Sequence, residues 1–310
     1  MNTLTSSSDK RALLLCFFLM FLLHLQAQEL FIGTYNIRNQ NQYDVEQGNG
    51  WEQRLPVICE QLNFLQPAVF GAQEVLVGQL HDMLRLMPEY DAIGVGREDG
   101  KEEGEYAAIF YHKKQLKLLE SGHFWLNQQP DQPIKGWDAA CVRICTWAKF
   151  RDQRTKKKFI FFTTHMDHVG IIARREGAKL IIKKVEEIAK GLPVIITGDF
   201  NVDQNNEIFS ILENSPLLKD AYNSAEQRFM VNGTFNSFNP NLYTQSRLDH
   251  VFVSPSFTVT HYASFTNIYW KKQNTETTQK GHDAPQEIDL STYIPRCPSD
   301  HYPVFVKLLY

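Results

Sequence analysis

Polar groups of three kinds recur at the ends of apolar runs in this chain. Asn36 closes one such run, Glu74 the next, His165 a later one, and Asp199 with Asn201 another. Asp249 opens a run, and Asp300-His301 stands just before the last. Any one of these is what a turn beside a strand commonly holds. Their accumulation fits a site assembled where strand ends and loops converge. Glu74, Asp300 and the amide oxygen of Asn36 are hard donors, which favour Mg2+ or Mn2+. An ion held there can polarise a phosphoryl oxygen and neutralise developing charge. His165 and His301 can hydrogen-bond the remaining phosphate oxygens. Asp199, two residues before Asn201, can orient and deprotonate a water.

The elements that would position these groups follow from hydrophobic spacing. Leu30 to Asn36 reads as a strand. Trp51, Leu55, Ile58, Leu62 and Leu65 recur at helical intervals, with Pro67 as the stop. Ala68 to Gln73 is a short apolar strand running into Glu74. Ala107–Tyr111, Leu116–Phe124 and Ala140–Phe150 follow as strands. The basic run Arg154–Lys158 is a solvated hairpin tip. Phe159 to Thr164 leads to His165, and a helix with one apolar face follows, carrying Ala178, Ile181, Ile182, Val185, Ile188 and Ala189. Pro193–Thr197, Leu248–Val253, Phe257–Phe265 and Pro303–Leu309 complete the strands, and Lys271–Pro298 reads as a long polar loop. No repeat or flexible linker interrupts the chain. The expectation is α/β, one domain over residues 28–310, with mixed sheets sandwiched by helices.

Six segments, TYNIR (34–38), AQEV (72–75), TTHMDH (163–168), TGDFNV (197–202), RLDHVFVS (247–254) and SDHYPV (299–304), together resemble the endonuclease/exonuclease/phosphatase superfamily, in family order and across nearly all of residues 30–310. The resemblance implies a four-layer α/β/β/α sandwich with two mixed β-sheets and a hydrolase of phosphoric esters. It implies Glu74 as the principal metal ligand, with Asn36 and Asp300 nearby. Asp199 and Asn201 would handle the attacking water, and His301, oriented by Asp249, would contact the scissile phosphate. His165 would be a second imidazole on that phosphate, as in the phosphatase and deoxyribonuclease branches; the apurinic endonucleases lack it. Tyr106 resembles a tyrosine that contacts phosphate in several branches.

Arg97 and Lys101, in the segment 96–106, are candidates for a second anionic group, although five acidic neighbours make a solvated loop the plain alternative. Arg143, among apolar residues, calls for an anionic partner. Trp125, Trp137 and Trp147 offer either a stacking wall or ordinary core. TTHMDH also resembles a zinc motif in which His165, Asp167 and His168 would be ligands; the first histidine of that motif is replaced by Thr163, and the other segments would go unexplained.

Residues 1–27 read as a signal peptide: Lys10-Arg11, then an apolar run to Leu25, then a cleavage site after Ala27. The run is shorter than the roughly 20 residues that span a bilayer, and the expected location is secreted or periplasmic. Cys59, Cys141, Cys145 and Cys297 remain, read as small buried hydrophobes, with Cys141 and Cys145 four apart on one strand. The net charge of −3 carries no basic surplus of the kind that long nucleic acids require. The expected substrate is a small phosphorylated molecule: a sugar phosphate, a nucleotide or a lipid headgroup. An extracellular nuclease is the alternative, and a non-catalytic binding module a minor one. No protein partner and no membrane span after signal cleavage are expected.

Overall fold

The computed structural model describes residues 29–272 and 278–310, and the expected signal segment lies outside them. Two mixed sheets stack face to face. The first runs β10 (Gln227–Phe229), β12 (Thr258–Ser264), β17 (Val304–Leu309), β1 (Glu29–Asn36), β2 (Val69–Val75), β4 (Tyr106–His112), β3 (Tyr90–Ile93). The second runs β5 (Leu116–Trp125), β6 (Ile144–Asp152), β7 (Lys158–His165), β8 (Val194–Asp199), β11 (Asp249–Val253), β9 (Lys219–Asp220). β1 and β2 are parallel, as are β7 and β8; β11 returns antiparallel to β8.

Alternation along the central strands builds the layers. Val69 and Phe161 face the core between the sheets, with Phe150, Val251 and Val304. Their neighbours point outwards, under the helices that follow the short α1 (Gln42–Glu46): Phe70 packs with Ile58 and Leu62 of α2 (Trp51–Leu65) and Met83 of α3 (Val77–Leu86). Phe162 packs with Ile181 and Val185 of α4 (Ile171–Ala189) and Phe209 of α5 (Glu207–Glu213). Strands covered on both faces must be apolar throughout, which is why these runs read as continuous rather than alternating. The result is the four-layer α/β/β/α sandwich.

Towards the site end the core between the sheets turns polar. Gln73 Nε2 donates to Thr163 Oγ1 (2.9 Å) and Thr34 Oγ1 (3.1 Å), joining the two sheets. Gly71 lets them approach: a Cβ there would lie 2.1 Å from Thr163 Oγ1 and 2.5 Å from Thr197 Oγ1.

Several boundaries differ from expectation. The strand after residue 140 begins only at Ile144, because Ala140 and Cys141 donate their N–H groups to Asp167 instead of a neighbouring strand. Cys141 and Cys145 therefore do not share a strand, and Cys141 is half-buried while Cys59, Cys145 and Cys297 are buried. The stretch 271–298 is not a plain loop. It contains two small antiparallel ribbons, β13 (Tyr269–Lys272) with β16 (Tyr293–Arg296), and β14 (Thr278–Lys280) with β15 (Asp289–Ser291). Their residues are largely exposed, so no apolar pattern announces them. Among the described residues no helix is long and apolar enough to cross a membrane.

Candidate active site

Register alone gathers the sequence candidates. Asp199 at the end of β8 is paired with His165 at the end of β7 and with Asp249 at the start of β11. Across the sandwich, Asn36 ends β1 and Glu74 stands on β2. The β2–β4 ladder shifts register between Ala72 and Val75, and Glu74 takes φ 60°, so a bulge turns its side chain towards the cleft. Arg38 and Asn201 also have positive φ, 58° and 50°. Three such non-glycine residues around one cleft are the backbone strain that functional sites concentrate. Before Asp199, Gly198 (φ 154°) has no room for a side chain, since a Cβ would lie 2.1 Å from the Thr164 carbonyl oxygen.

The cleft, of about 350 Å3, is lined by Glu74, Asp300, Asp199, Asn201, His165 and His301, with Arg38, Asn39, Arg97, Arg143, Glu105 and Phe235 around them. Asn36 is a hub. Its Nδ2 donates to Glu74 Oε1 (2.9 Å) and Asp199 Oδ2 (3.0 Å), while its Oδ1 accepts from the Arg38 N–H (3.0 Å). In this arrangement the amide nitrogen, not the oxygen, faces the carboxylates. The Asn201 N–H donates to Asp199 Oδ1 (2.9 Å), and its Nδ2 donates to Met166 O and lies 3.1 Å from His165 Nε2.

His301 Nδ1 lies 2.8 Å from Asp249 Oδ2 and its Nε2 3.7 Å from Asp199 Oδ2. Burial alone would lower the His301 pKa; the Asp249 and Asp199 charges and the hydrogen bond outweigh it and hold the pKa well above the ordinary range. His165 goes the other way, driven well below it by burial and then by the Arg143 and Arg97 charges. The two imidazoles of the cleft are thus pushed in opposite directions, His301 towards the charged form and His165 towards the neutral one. Burial raises the pKa of both Asp199 and Asp300, against the pull of His301.

Arg38 Nη1 stands 3.6 Å from Asp300 Oδ2 and 4.0 Å from Glu74 Oε2, with the rest of its guanidinium on Asp44. A cationic group thus already bridges these two carboxylates. An all-oxygen donor pair of this kind fits a hard divalent ion. Asp199, Asp249 and His301 also lie close enough to share an ion, but the Asp249–His301 hydrogen bond already occupies the ring nitrogen nearest Asp249. The Cys141–Asp167–His168 grouping is similarly spent. Asp167 accepts from the N–H groups of Ala140, Cys141, Val169 and Gly170 and from Arg143 Nε (3.3 Å), which fixes the loop rather than leaving a zinc site.

Arg97 reaches the cleft but is paired with Glu105 and Glu98. Arg143 lines it with Nη1 buried and unpartnered and Nη2 3.0 Å from His168 Nδ1. Tyr106 does not line the cleft itself but shares a small adjoining pocket with Arg97, Glu105, Arg143 and His165; its hydroxyl donates to the Lys101 carbonyl (2.9 Å) and its ring packs in the core. None of Trp125, Trp137 and Trp147 lines the cleft. Trp125 is buried and donates to the Arg97 carbonyl (2.8 Å).

Residues that spacing alone did not single out complete the site. Arg54 is fully buried on α2 and donates to the carbonyls of Asn49, Ile37, Arg38, Asn39 and Pro298, tying the loop after Asn36 to the one before Asp300. Ser299 Oγ donates to Asn36 O (2.6 Å). Phe235 packs edge-on against His301, with centroids 5.1 Å apart. Arg38 lay inside the TYNIR segment, which was its signal; Arg54 had none, because its partners are backbone carbonyls.

Comparison with known proteins agrees with this geometry. An endonuclease/exonuclease/phosphatase family protein from Bacteroides thetaiotaomicron is 43% identical, with a TM-score of 0.85 over 92% of this chain and 99% of that one. A mannosyl-6-phosphatase from the same organism is 43% identical, with a TM-score of 0.84 over 91% of this chain and all of that one, 100%. Nocturnin from Drosophila melanogaster is 23% identical over 188 residues, 56% of this chain; the chain covers 28% of that relative's length. The profile of the Endonuclease/Exonuclease/phosphatase family matches residues 33–301. The chain belongs to that family and is a hydrolase of phosphoester bonds.

Proposed function

We propose that this protein removes phosphate from a small phosphorylated sugar, by attack of water on a monoester, outside the cytoplasm and with Mg2+ or Mn2+. The observation that carries this reading is the cleft itself. It is about 350 Å3 in volume, has carboxylates on one wall (Glu74, Asp300) and cations on the other (Arg97, Arg143), and lies in a chain with net charge −3. That size suits one phosphorylated ring, and a net charge of −3 does not favour a long polyanion. The likeness to a mannosyl-6-phosphatase supports the sugar. The N-terminal sequence supports export.

Glu74 and Asp300 would hold the ion, with Asn36 beside them. When bound, the ion supplies charge neutralisation at a phosphoryl oxygen. Asp199, fixed by the Asn201 N–H, accepts a proton from the water as the water oxygen bonds to phosphorus; the P–O bond to the sugar breaks, and the sugar oxygen leaves as a hydroxyl with a proton from solvent. His301, kept charged by Asp249, donates to a phosphoryl oxygen as negative charge builds there. His165, neutral, donates a second hydrogen bond, and Arg143 Nη1 has an unspent donor for an oxygen of the phosphate or its neighbour.

A panel of mannose 6-phosphate, other sugar phosphates, nucleotides, phospholipids and DNA, each with Mg2+ and with Mn2+, tests the reading. Fastest release of inorganic phosphate from a sugar phosphate is expected. Cleavage confined to DNA or to phosphodiesters would overturn it in favour of an extracellular nuclease.

A further inference from the structure

A second cavity, of about 470 Å3, lies beside the catalytic cleft, and its lining includes Gln204, Asn205, Asn232, Tyr243, Gln245 and Arg247. Two short stretches of chain wall both spaces. Asn201 lines the cleft and Gln204 the cavity; Phe235 lines the cleft and Gly233 the cavity. At about 3.5 Å per residue these walls are within about 10 Å of one another, a reach that a short chain of linked sugar rings covers.

Apart from the Glu213 carboxylate, the lining carries no unbalanced charge. Arg247 is ion-paired with Asp220 (3.2 Å) and stacked 4.2 Å over the Tyr222 ring, and Glu213 accepts from Asn223 (2.6 Å). What the cavity offers a ligand is amide and aromatic surface. The side chains of Asn205 and Gln245 make no hydrogen bond among the described residues. Gln204 and Asn232 are each held in place by two bonds that leave an N–H and a lone pair over. Tyr243 is 69% exposed, so its ring is open to a partner. Amides that both donate and accept, beside an open aromatic face, match adjacent hydroxyls and the apolar face of a pyranose. A second phosphate would need unpaired cations, and a lipid tail would need an apolar lining.

We infer that this cavity binds the neutral sugar units of a phosphorylated oligosaccharide whose phosphorylated ring occupies the cleft. The inference rests on the sugar-phosphatase reading and narrows its substrate class. The cavity side chains contribute to binding of the larger substrate and not to the chemistry of phosphate release.

Two measurements test it, on the wild type and on Asn205→Ala, Tyr243→Ala and the double variant. Asn205 and Tyr243 are exposed, so folding is spared. The first compares kcat/KM for mannose 6-phosphate with that for mannotriose carrying a 6-phosphate on its terminal ring. At least a tenfold preference for the trisaccharide is expected, lost in the double variant while mannose 6-phosphate is cleaved as before. Equal kcat/KM for the two substrates, or variants that lower both alike, overturns the inference. The second is calorimetric titration with unphosphorylated mannotriose, with binding expected in the wild type and abolished by Tyr243→Ala. Binding with no hydrolysis of any sugar phosphate would keep the cavity assignment and defeat the sugar-phosphatase reading. Absence of binding, or binding of a nucleoside in place of the trisaccharide, defeats the assignment itself.

Discussion

His301 Nδ1 and Asp249 Oδ2 are 2.8 Å apart at the floor of the cleft, from two strand ends that the sheets bring together. The carboxylate fixes which ring nitrogen is spent, so Nε2 is the one turned to the cleft and to Asp199. The pair is one device: without Asp249 the ring loses both its orientation and its charge, and without His301 the carboxylate has nothing to orient. Asp249→Ala and His301→Ala should each lower kcat by about 100- to 1,000-fold with little change in KM. The double variant should be no worse than about the poorer single one. Losses that multiplied would show that the two act independently.

Removal of divalent ions should abolish hydrolysis, and Mg2+ or Mn2+ should restore it. Glu74→Gln keeps the shape of the carboxylate but not its charge, so it should raise the metal concentration needed for half-maximal activity. The paramagnetic signal of Mn2+ gives a readout separate from turnover, since bound ion is lost from the free-ion spectrum. Unchanged Mn2+ binding in Glu74→Gln would move the ion away from the Glu74–Asp300 pair.

Arg54 explains how much of this site could be read from sequence. The polar groups that the structure gathers at the cleft stand in short strand-end segments, and those were legible as Asn36, Glu74, His165, Asp199, Asn201, Asp249, Asp300 and His301. The core strands were legible too, because burial on both faces leaves an unbroken apolar run. What was not legible was support that acts through the backbone. Arg54 binds five carbonyl oxygens, which are the same in every residue type, so no partner side chain marks them. Tyr106, which resembles a tyrosine that contacts phosphate, has its hydroxyl on the Lys101 carbonyl, a backbone partner that the sequence does not mark.

Arg54→Met should therefore damage stability and activity together. Each buried carbonyl left without a donor costs about 1–3 kcal/mol, so a loss of at least about 3 kcal/mol is expected by chemical denaturation. Arg54→Lys can supply at most three donors and no fork, and should recover only part. Full stability and kcat in Arg54→Met would mean that the Asn36 and Asp300 loops hold themselves.

Gly71→Ala probes how closely the two sheets must approach. A methyl group there meets Thr163 Oγ1 and Thr197 Oγ1 well inside contact distance, and both threonines are fully buried. Overpacking of this kind costs about 1–3 kcal/mol. It should also push apart Gln73 and Thr163, whose hydrogen bond joins the sheets one residue before Glu74. A drop in thermal midpoint is expected, with a higher metal concentration needed for half-maximal activity; an unchanged midpoint would show that the sheets can separate freely at that point.

His250 gives a prediction for pH that is independent of the catalytic groups. It is fully buried, packed against Phe200, Phe209 and Phe252, with Nε2 2.9 Å from the Val202 carbonyl. Its Nδ1 is buried without a partner, so the ring must be neutral and donate through Nε2. Burial, with the Arg247 charge adding to it, lowers its pKa to about 3. An unfolded histidine titrates near 6.5. Between those two values the unfolded chain binds a proton that the folded chain refuses. Stability is therefore intact above about pH 6.5 and falls as the pH drops, by up to about 1.4 kcal/mol per unit. At pH 4.5 this one group should remove roughly 3 kcal/mol relative to neutral pH. His250→Gln can still donate to Val202 but has no proton to gain. Other groups titrate equally in both proteins, so they cancel in the comparison. Guanidinium denaturation at pH 7.5 and pH 4.5 should show the wild type losing more stability than His250→Gln by about that amount, and equal losses in the two would mean that His250 is already protonated in the fold.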